Sequence, residues 1–266
     1  MKKLAPTAYE HPMDRAALNA LRKIPLIDKL CTWVINIHLK TDYIVQYRGN
    51  GVEVNEKLTP RVYKLKKLAE ERLCMEQDIP MFITLDWDYN AFAMGVDEPI
   101  IVLNSSVVEN FTDDELLYII GHEMGHIKSK HMLYHWMGDN LSSWMFNNGI
   151  LSGVALMSLV VAIKEWHRKS ELTADRAGFI ACQNKEAAVN GMLKLMGLPQ
   201  STSQSVDFNF SVSDILKQLE EYDDVKSDSV YSKFIYAYIT CNMTHPWGIE
   251  RIKEILAWDG VYQYEK

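Results

Sequence analysis

His122-Glu123-Met124-Gly125-His126 has the residue types and spacing from which a metal-dependent hydrolase can be built. In an α-helix, positions four apart differ by about 40° of rotation and about 6 Å of rise, so both imidazoles project from one face toward one ion. Glu123 stands beside the first of them, where its carboxylate can take a proton from an activated water and later pass it to a leaving amine. Zinc suits the pair because it accepts nitrogen and oxygen ligands and keeps a position open for that water. Two histidines need a third donor, and Glu171-Leu172-Thr173-Ala174-Asp175 offers two carboxylates with the same four-residue spacing. Glu171 is the candidate third ligand, giving one zinc per chain, and Asp175 the candidate acceptor for the free ring N–H of a ligand histidine. The bland readings are histidines satisfied by local hydrogen bonds and a surface ion pair of Glu171 or Asp175 with Arg168 or Lys169. Ala174, Ala177 and Gly178 argue against the second, since they make that face small enough for close helix packing.

These residues need elements to position them. A helix opens at Thr112-Asp113-Asp114-Glu115, a capping-box pattern with acids where the helix dipole favours them, and runs into the motif. Before it, Met81 to Leu85, Asn90 to Met94 and Ile100 to Leu103 are short, apolar and bounded by Asp, Gly and Pro, which predicts a small sheet. Pro60 to Gln77 reads as a helix with Thr59 as its cap. Most of the remainder is helical, with candidates over 133–146, 150–183, 186–196, 212–220, 232–240 and 247–258. Pro25 separates two short N-terminal helices, Asp14 to Lys23 and Leu26 to Leu39, and a turn is expected at Gly49-Asn50-Gly51. The Ser- and Gln-rich stretch Pro199 to Phe210 reads as a surface connection. His131 and His135 fall on a possible continuation of the motif helix and read as packed or solvent-exposed rather than as a second metal site.

A chain of 266 residues that is 48% hydrophobic can bury a substantial core. Its net charge of -7 argues against broad nucleic-acid binding, and the basic run Lys64, Lys66 and Lys67 reads as a solvated helix face beside Glu70 and Glu71. Cys31, Cys74, Cys182 and Cys241 form no paired-thiol spacing and read as reduced. The basic Met1-Lys2-Lys3 is followed by no apolar segment of export length, so a cytoplasmic location is expected. Gly149 to Ile163 carries no charge but runs for only about 15 residues, short of the roughly 20 that span a bilayer as a helix. A single crossing there would also put His126 and Glu171 on opposite sides. A buried core helix is therefore expected, with a peripheral membrane contact as the lesser reading.

Taken together, the motifs resemble the HtpX-like and CaaX-prenyl-endopeptidase group of gluzincin-type zinc peptidases. Asn90-Ala91-Phe92-Ala93-Met94-Gly95 is similar to that group's N-A-F-A-x-G strand. Asp114-Glu115-Leu116 precedes the H-E-x-x-H as in that group, and Glu171 to Asp175 is similar to its E-x-x-A-D. Thr244-His245-Pro246, with Arg251 beyond it, resembles its closing T-H-P and arginine. The resemblance spans about Glu56 to Leu256 and implies His122, His126 and Glu171 as zinc ligands and Glu123 as general base and acid. It further implies His245 near the oxyanion, Arg251 holding Asp175, and an extended substrate beside Asn90, Ala91, Phe92 and Ala93 or the neighbouring strand. Members with transmembrane helices differ from this chain, so their membrane-protein substrates are not carried over. The expectation is an α+β, zincin-like fold, mostly helical with a small sheet beside the motif helix. Residues 1–55 would form a helical extension and 56–266 a zinc peptidase domain acting on peptides or proteins. A non-proteolytic metal-stabilised scaffold is the competing class, disfavoured because a structural site has no use for Glu123. A hydrolase of non-peptide bonds is disfavoured more weakly, by the strand resembling a peptide-binding edge.

Overall fold

Thr112 starts the helix on which the site depends. In the computed structural model, which describes residues 4–23, 42–135, 154–198 and 248–260 with isolated positions between, its hydroxyl accepts from the Glu115 N–H (3.4 Å). The Glu115 carboxylate returns the bond to the Thr112 N–H (2.8 Å), completing the capping box. Caps of this kind contribute about 0.5–2 kcal/mol.

Several shorter elements precede that helix. The first α-helix is α1 (Pro12–Leu21), which begins two residues before the expected Asp14 because Pro12 fits a first turn and His11 caps it. Then come α2 (Asp42–Asn50), β1 (Gly51–Glu53), α3 (Pro60–Arg72) and β2 (Met81–Thr84). The segment expected as Leu26 to Leu39 lies outside the described residues. Thr59 precedes α3 without a side-chain cap, its hydroxyl being engaged with Asn55 instead. Helix α3 stops short of the expected Gln77 because Cys74 takes a left-handed φ of 50°. There the Met75 N–H reaches back to the Glu70 carbonyl (2.9 Å) and the Cys74 N–H to Glu71 (3.0 Å).

β3 (Ala91–Met94) and β4 (Ile100–Asn104) complete a mixed sheet of order β1-β2-β4-β3, followed by the short α4 (Ser105–Asn110). β2 and β4 run parallel with Met81 opposite Ile101, whereas β3 lies antiparallel to β4 with Ala91 opposite Leu103. Period-two alternation sorts the side chains. Met81, Ala91, Ala93, Ile101 and Leu103 face the main core, and Phe82, Phe92, Met94, Ile100 and Val102 a smaller one beside Tyr47.

Helix α5 (Asp113–Lys128) is buried at every position from Glu115 to His126, so it runs through the middle of the molecule. It packs on α6 (Val154–Cys182) along a seam without side-chain bulk. A Cβ on Gly121 would lie 2.3 Å from the Ala181 Cβ, and one on Gly125 2.6 Å from the Ala177 Cβ. From Gly178 it would meet the Tyr118 carbonyl at 2.7 Å. The small face expected around Ala174 thus meets two glycines, one just before each motif histidine. α7 (Lys185–Leu195), capped by Asn184, and α8 (Gly248–Ala257) close the far side of α5 and α6. The fold is α+β, mostly helical with one small sheet.

Lys66 and Lys67 both reach Asp78, and Lys66 is buried against Glu70 as well, so this basic run is neutralised locally. Cys182 is a buried free thiol. Among the described residues no helix is long and apolar enough to cross a membrane.

Candidate metal centre

α5 presents His122 and His126 toward Glu171 of α6 across the glycine seam. The two Nε2 atoms are 3.1 Å apart. His122 Nε2 lies 3.5 Å from Glu171 Oε2, and His126 Nε2 lies 3.2 Å from Glu171 Oε1. Two nitrogens bound to zinc at about 2.0–2.1 Å in tetrahedral geometry are roughly 3.3 Å apart. The two-nitrogen, one-oxygen donor set therefore already has the spacing of a small tetrahedral cation. Electrostatics separate the two histidines. Burial disfavours the charged form of both imidazoles, yet Asp175 and Glu171 beside His122 push it up to about 10. For His126 burial prevails and pushes it down to about 3. The carboxylates thus favour positive charge at His122, while His126 is held neutral.

Behind His122, its Nδ1 is 3.0 Å from Asp175 Oδ1. Arg251 of α8 grips the same carboxylate through Nε to Oδ2 (2.8 Å) and Nη2 to Oδ1 (2.6 Å), and Tyr118 donates its hydroxyl to Oδ1 (2.7 Å). Although burial opposes it, the Arg251 guanidinium holds the Asp175 carboxyl well below the usual carboxylate range. An acceptor so surrounded leaves His122 Nδ1 to donate, which turns the Nε2 lone pair toward the cluster. Tyr118 was not among the expected residues, although its place one helical turn before His122 on the same face is a readable signal.

Glu123, His122, Glu171 and Arg251 line a cleft of about 240 Å³ together with Tyr89, Asn90, Ala91, Met192 and Met196. Of the four residues expected to meet substrate, Asn90 and Ala91 reach this cleft. Phe92 turns to the opposite side of the sheet, its ring edge-on to Tyr47 with centroids 5.9 Å apart, and Ala93 packs on the main core. His245 lies outside the described residues.

His131 and His135 do not continue α5. Lys130 adopts a left-handed φ of 59°, the His131 N–H bonds back to the His126 carbonyl (3.0 Å) and the Lys130 N–H to Ile127 (3.1 Å). These two bonds form a Schellman turn. The chain folds over its own last turn, and both rings are buried. His131 Nδ1 comes within 3.0 Å of His126 Nδ1, while His135 Nε2 bonds the Ser170 hydroxyl (2.7 Å). Sequence reasoning missed this fold-back because the turn carries lysine where glycine is the usual signal.

Residues 63–259, which include every motif described, match the sequence profile of Peptidase family M48. The chain belongs to peptidase family M48. It is thus a metallopeptidase acting on peptides or proteins. Over 97% of its length this M48 chain aligns, at 24% identity, with 74% of the plastoglobule-localized metallopeptidase 48, chloroplastic, of Arabidopsis thaliana. It also aligns over 39% of its length, at 29% identity, with a protease HtpX homolog of Bacteroides fragilis, covering 33% of that protein. No solved structure matches significantly. The first alignment corrects the expected cytoplasmic location, because that relative is named for the chloroplast and its plastoglobules.

Proposed function

We propose that this M48 chain is a zinc-dependent endopeptidase, with zinc held by His122 Nε2, His126 Nε2 and the Glu171 carboxylate. The observation that carries the reading is the donor triangle, with spacings of 3.1, 3.2 and 3.5 Å on two helices locked together by glycines. Bound there, zinc would supply a Lewis acid that polarises the scissile carbonyl and makes a water acidic near neutral pH. Glu123 takes the proton of that water as its oxygen attacks the carbonyl carbon. It then delivers the proton to the amine nitrogen as the C–N bond breaks, so Glu123 ends the cycle ionised. Asp175, held by Arg251 and Tyr118, keeps the His122 ring in its ligand orientation.

The outer edge of β3 is free of a strand partner among the described residues, and Asn90 and Ala91 border the cleft. An extended peptide added there as a further strand would be read mainly through its main chain. His245 is assigned to the oxyanion on the family resemblance alone.

The test is zinc content and peptide cleavage for the native chain and for Glu123→Gln. Zinc retained with cleavage reduced by about 10²–10⁴ is expected. Equal turnover in the two proteins would remove Glu123 from the mechanism.

A further inference from the structure

The N-terminal helix α1 sends one carboxylate into the interior. Asp14 is fully buried and meets three polar side chains, each from a distant part of the chain. Trp166 Nε1 donates to Oδ1 (2.9 Å), the Thr173 hydroxyl to Oδ2 (2.5 Å), and His131 Nε2 lies 3.3 Å from Oδ2. Thr173 in turn accepts from the His11 backbone N–H (3.0 Å). Burial alone would raise the Asp14 carboxyl, but the bonds from His131, Thr173 and Trp166 hold it low.

An ionised carboxylate can only accept. His131 must therefore carry its hydrogen on Nε2, facing Asp14, which in a neutral ring leaves Nδ1 as a lone pair. That lone pair faces His126 Nδ1 at 3.0 Å. His126 must then donate from Nδ1, and its Nε2 is left as the lone pair aimed at His122 and Glu171. We propose that Asp14 is a positioning residue for the metal centre, fixing through His131 the tautomer in which His126 can bind zinc. The inference rests on the zinc-site reading above. It makes the N-terminal segment part of the centre.

Three histidines, His126, His131 and His135, also bring donor atoms within 4.8 Å of one another, as do His135, His167 and Glu171. The His126–His131 and His135–Ser170 hydrogen bonds already engage nitrogens of the first group, so one ion per chain is the expected stoichiometry.

Asp14→Asn is the incisive variant because Trp166 can only donate. The amide oxygen must face Trp166, which turns the amide nitrogen toward His131 and the Thr173 hydroxyl. His131 then accepts at Nε2 and donates from Nδ1, and His126 is left with a hydrogen on the nitrogen meant for zinc. Zinc affinity, measured by chelator competition, should fall about 10–100-fold. Adding Trp166→Phe frees the amide to turn, so the double variant should bind zinc more tightly than Asp14→Asn alone. A merely structural role for Asp14 predicts the reverse, since the second change removes core packing. In the native zinc-loaded chain, long-range ¹H–¹⁵N correlation should show His131 protonated on Nε2 only, a reading that does not depend on any variant folding.

Native affinity in Asp14→Asn, a double variant no tighter than the single, or His131 protonated on Nδ1 would each overturn the proposal. So would two zinc ions per chain that fall to one in His131→Gln. A native chain that takes up no zinc sinks the zinc-site reading itself, and this proposal with it.

Discussion

His122 and His126 sit one turn apart on one helix, yet they are held from behind in unlike ways. His122 leans on a charged clamp of Asp175, Arg251 and Tyr118, drawn from α6, α8 and α5. His126 leans on a second imidazole, His131, and only beyond it on a carboxylate, Asp14 of α1. The first arrangement orients its histidine directly and with full charges. The second orients its histidine at one remove, through the sense of a hydrogen-bond chain. Equivalent positions on one helix therefore do not imply equivalent robustness.

The sharpest way to break the symmetry is to make the same amide substitution on both sides. Asp175→Asn sets an NH₂ group against the guanidinium whichever way the amide turns, and it leaves Arg251 buried with a diminished counter-charge. Loss of one partner from a buried ion pair costs about 3–5 kcal/mol. Both the melting temperature of the metal-free chain and zinc affinity should drop, by more than in Asp14→Asn, and no second change at a neighbouring donor should restore them. Equal losses on the two sides would erase the distinction between clamp and chain.

A smaller effect is expected at the seam. Alanine is about 1 kcal/mol better than glycine inside a helix. Gly121→Ala and Gly125→Ala should nevertheless destabilise, because overpacking costs about 1–3 kcal/mol and the new methyl groups would sit 2.3 and 2.6 Å from Ala181 and Ala177. At about 2–4 °C of Tm per kcal/mol, the shift is measurable by calorimetry. A rise in Tm would show that α5 and α6 have room to spare.

The smallest effect serves as a control remote from both histidines. Burial would raise the Asp78 carboxyl, but Lys66 and Lys67 pull it down to about 2. A carboxyl with a depressed folded pKa adds stability that is complete above its unfolded value near 3.9 and disappears as pH falls through about 2. Asp78→Asn should therefore lower Tm slightly at neutral pH and flatten its decline between about pH 4 and 2. Since the side chain is more than half exposed, water screens the pair and the difference should be small. An unchanged acid limb would show that the Lys66–Asp78 contact contributes nothing.

On the clamp side the histidines and carboxylates were readable from their four-residue spacing and the helix from its capping box, whereas Arg251 came only with the family resemblance and Tyr118 was missed. Local pattern also placed β2, β3 and β4 within a residue or two. β1 and α4 were missed, being too short for periodicity to register, and α2 was missed because the Gly49-Asn50-Gly51 run in which it ends reads as a turn. The chain side was illegible for a different reason. Asp14 looks like an ordinary first-turn acid, and its burial depends on Trp166 and Thr173 far along the chain. Lys130 hides the turn that brings His131 back, because its left-handed conformation is not advertised by residue type.

That long reach has a consequence for biosynthesis. A chain emerging N-terminus first makes α1 long before Thr173, and the His11–Glu254 contact spans nearly the whole polypeptide. Such non-local closure comes late in assembly. The nascent hydrolase cannot complete its supports until most of its own backbone has left the ribosome.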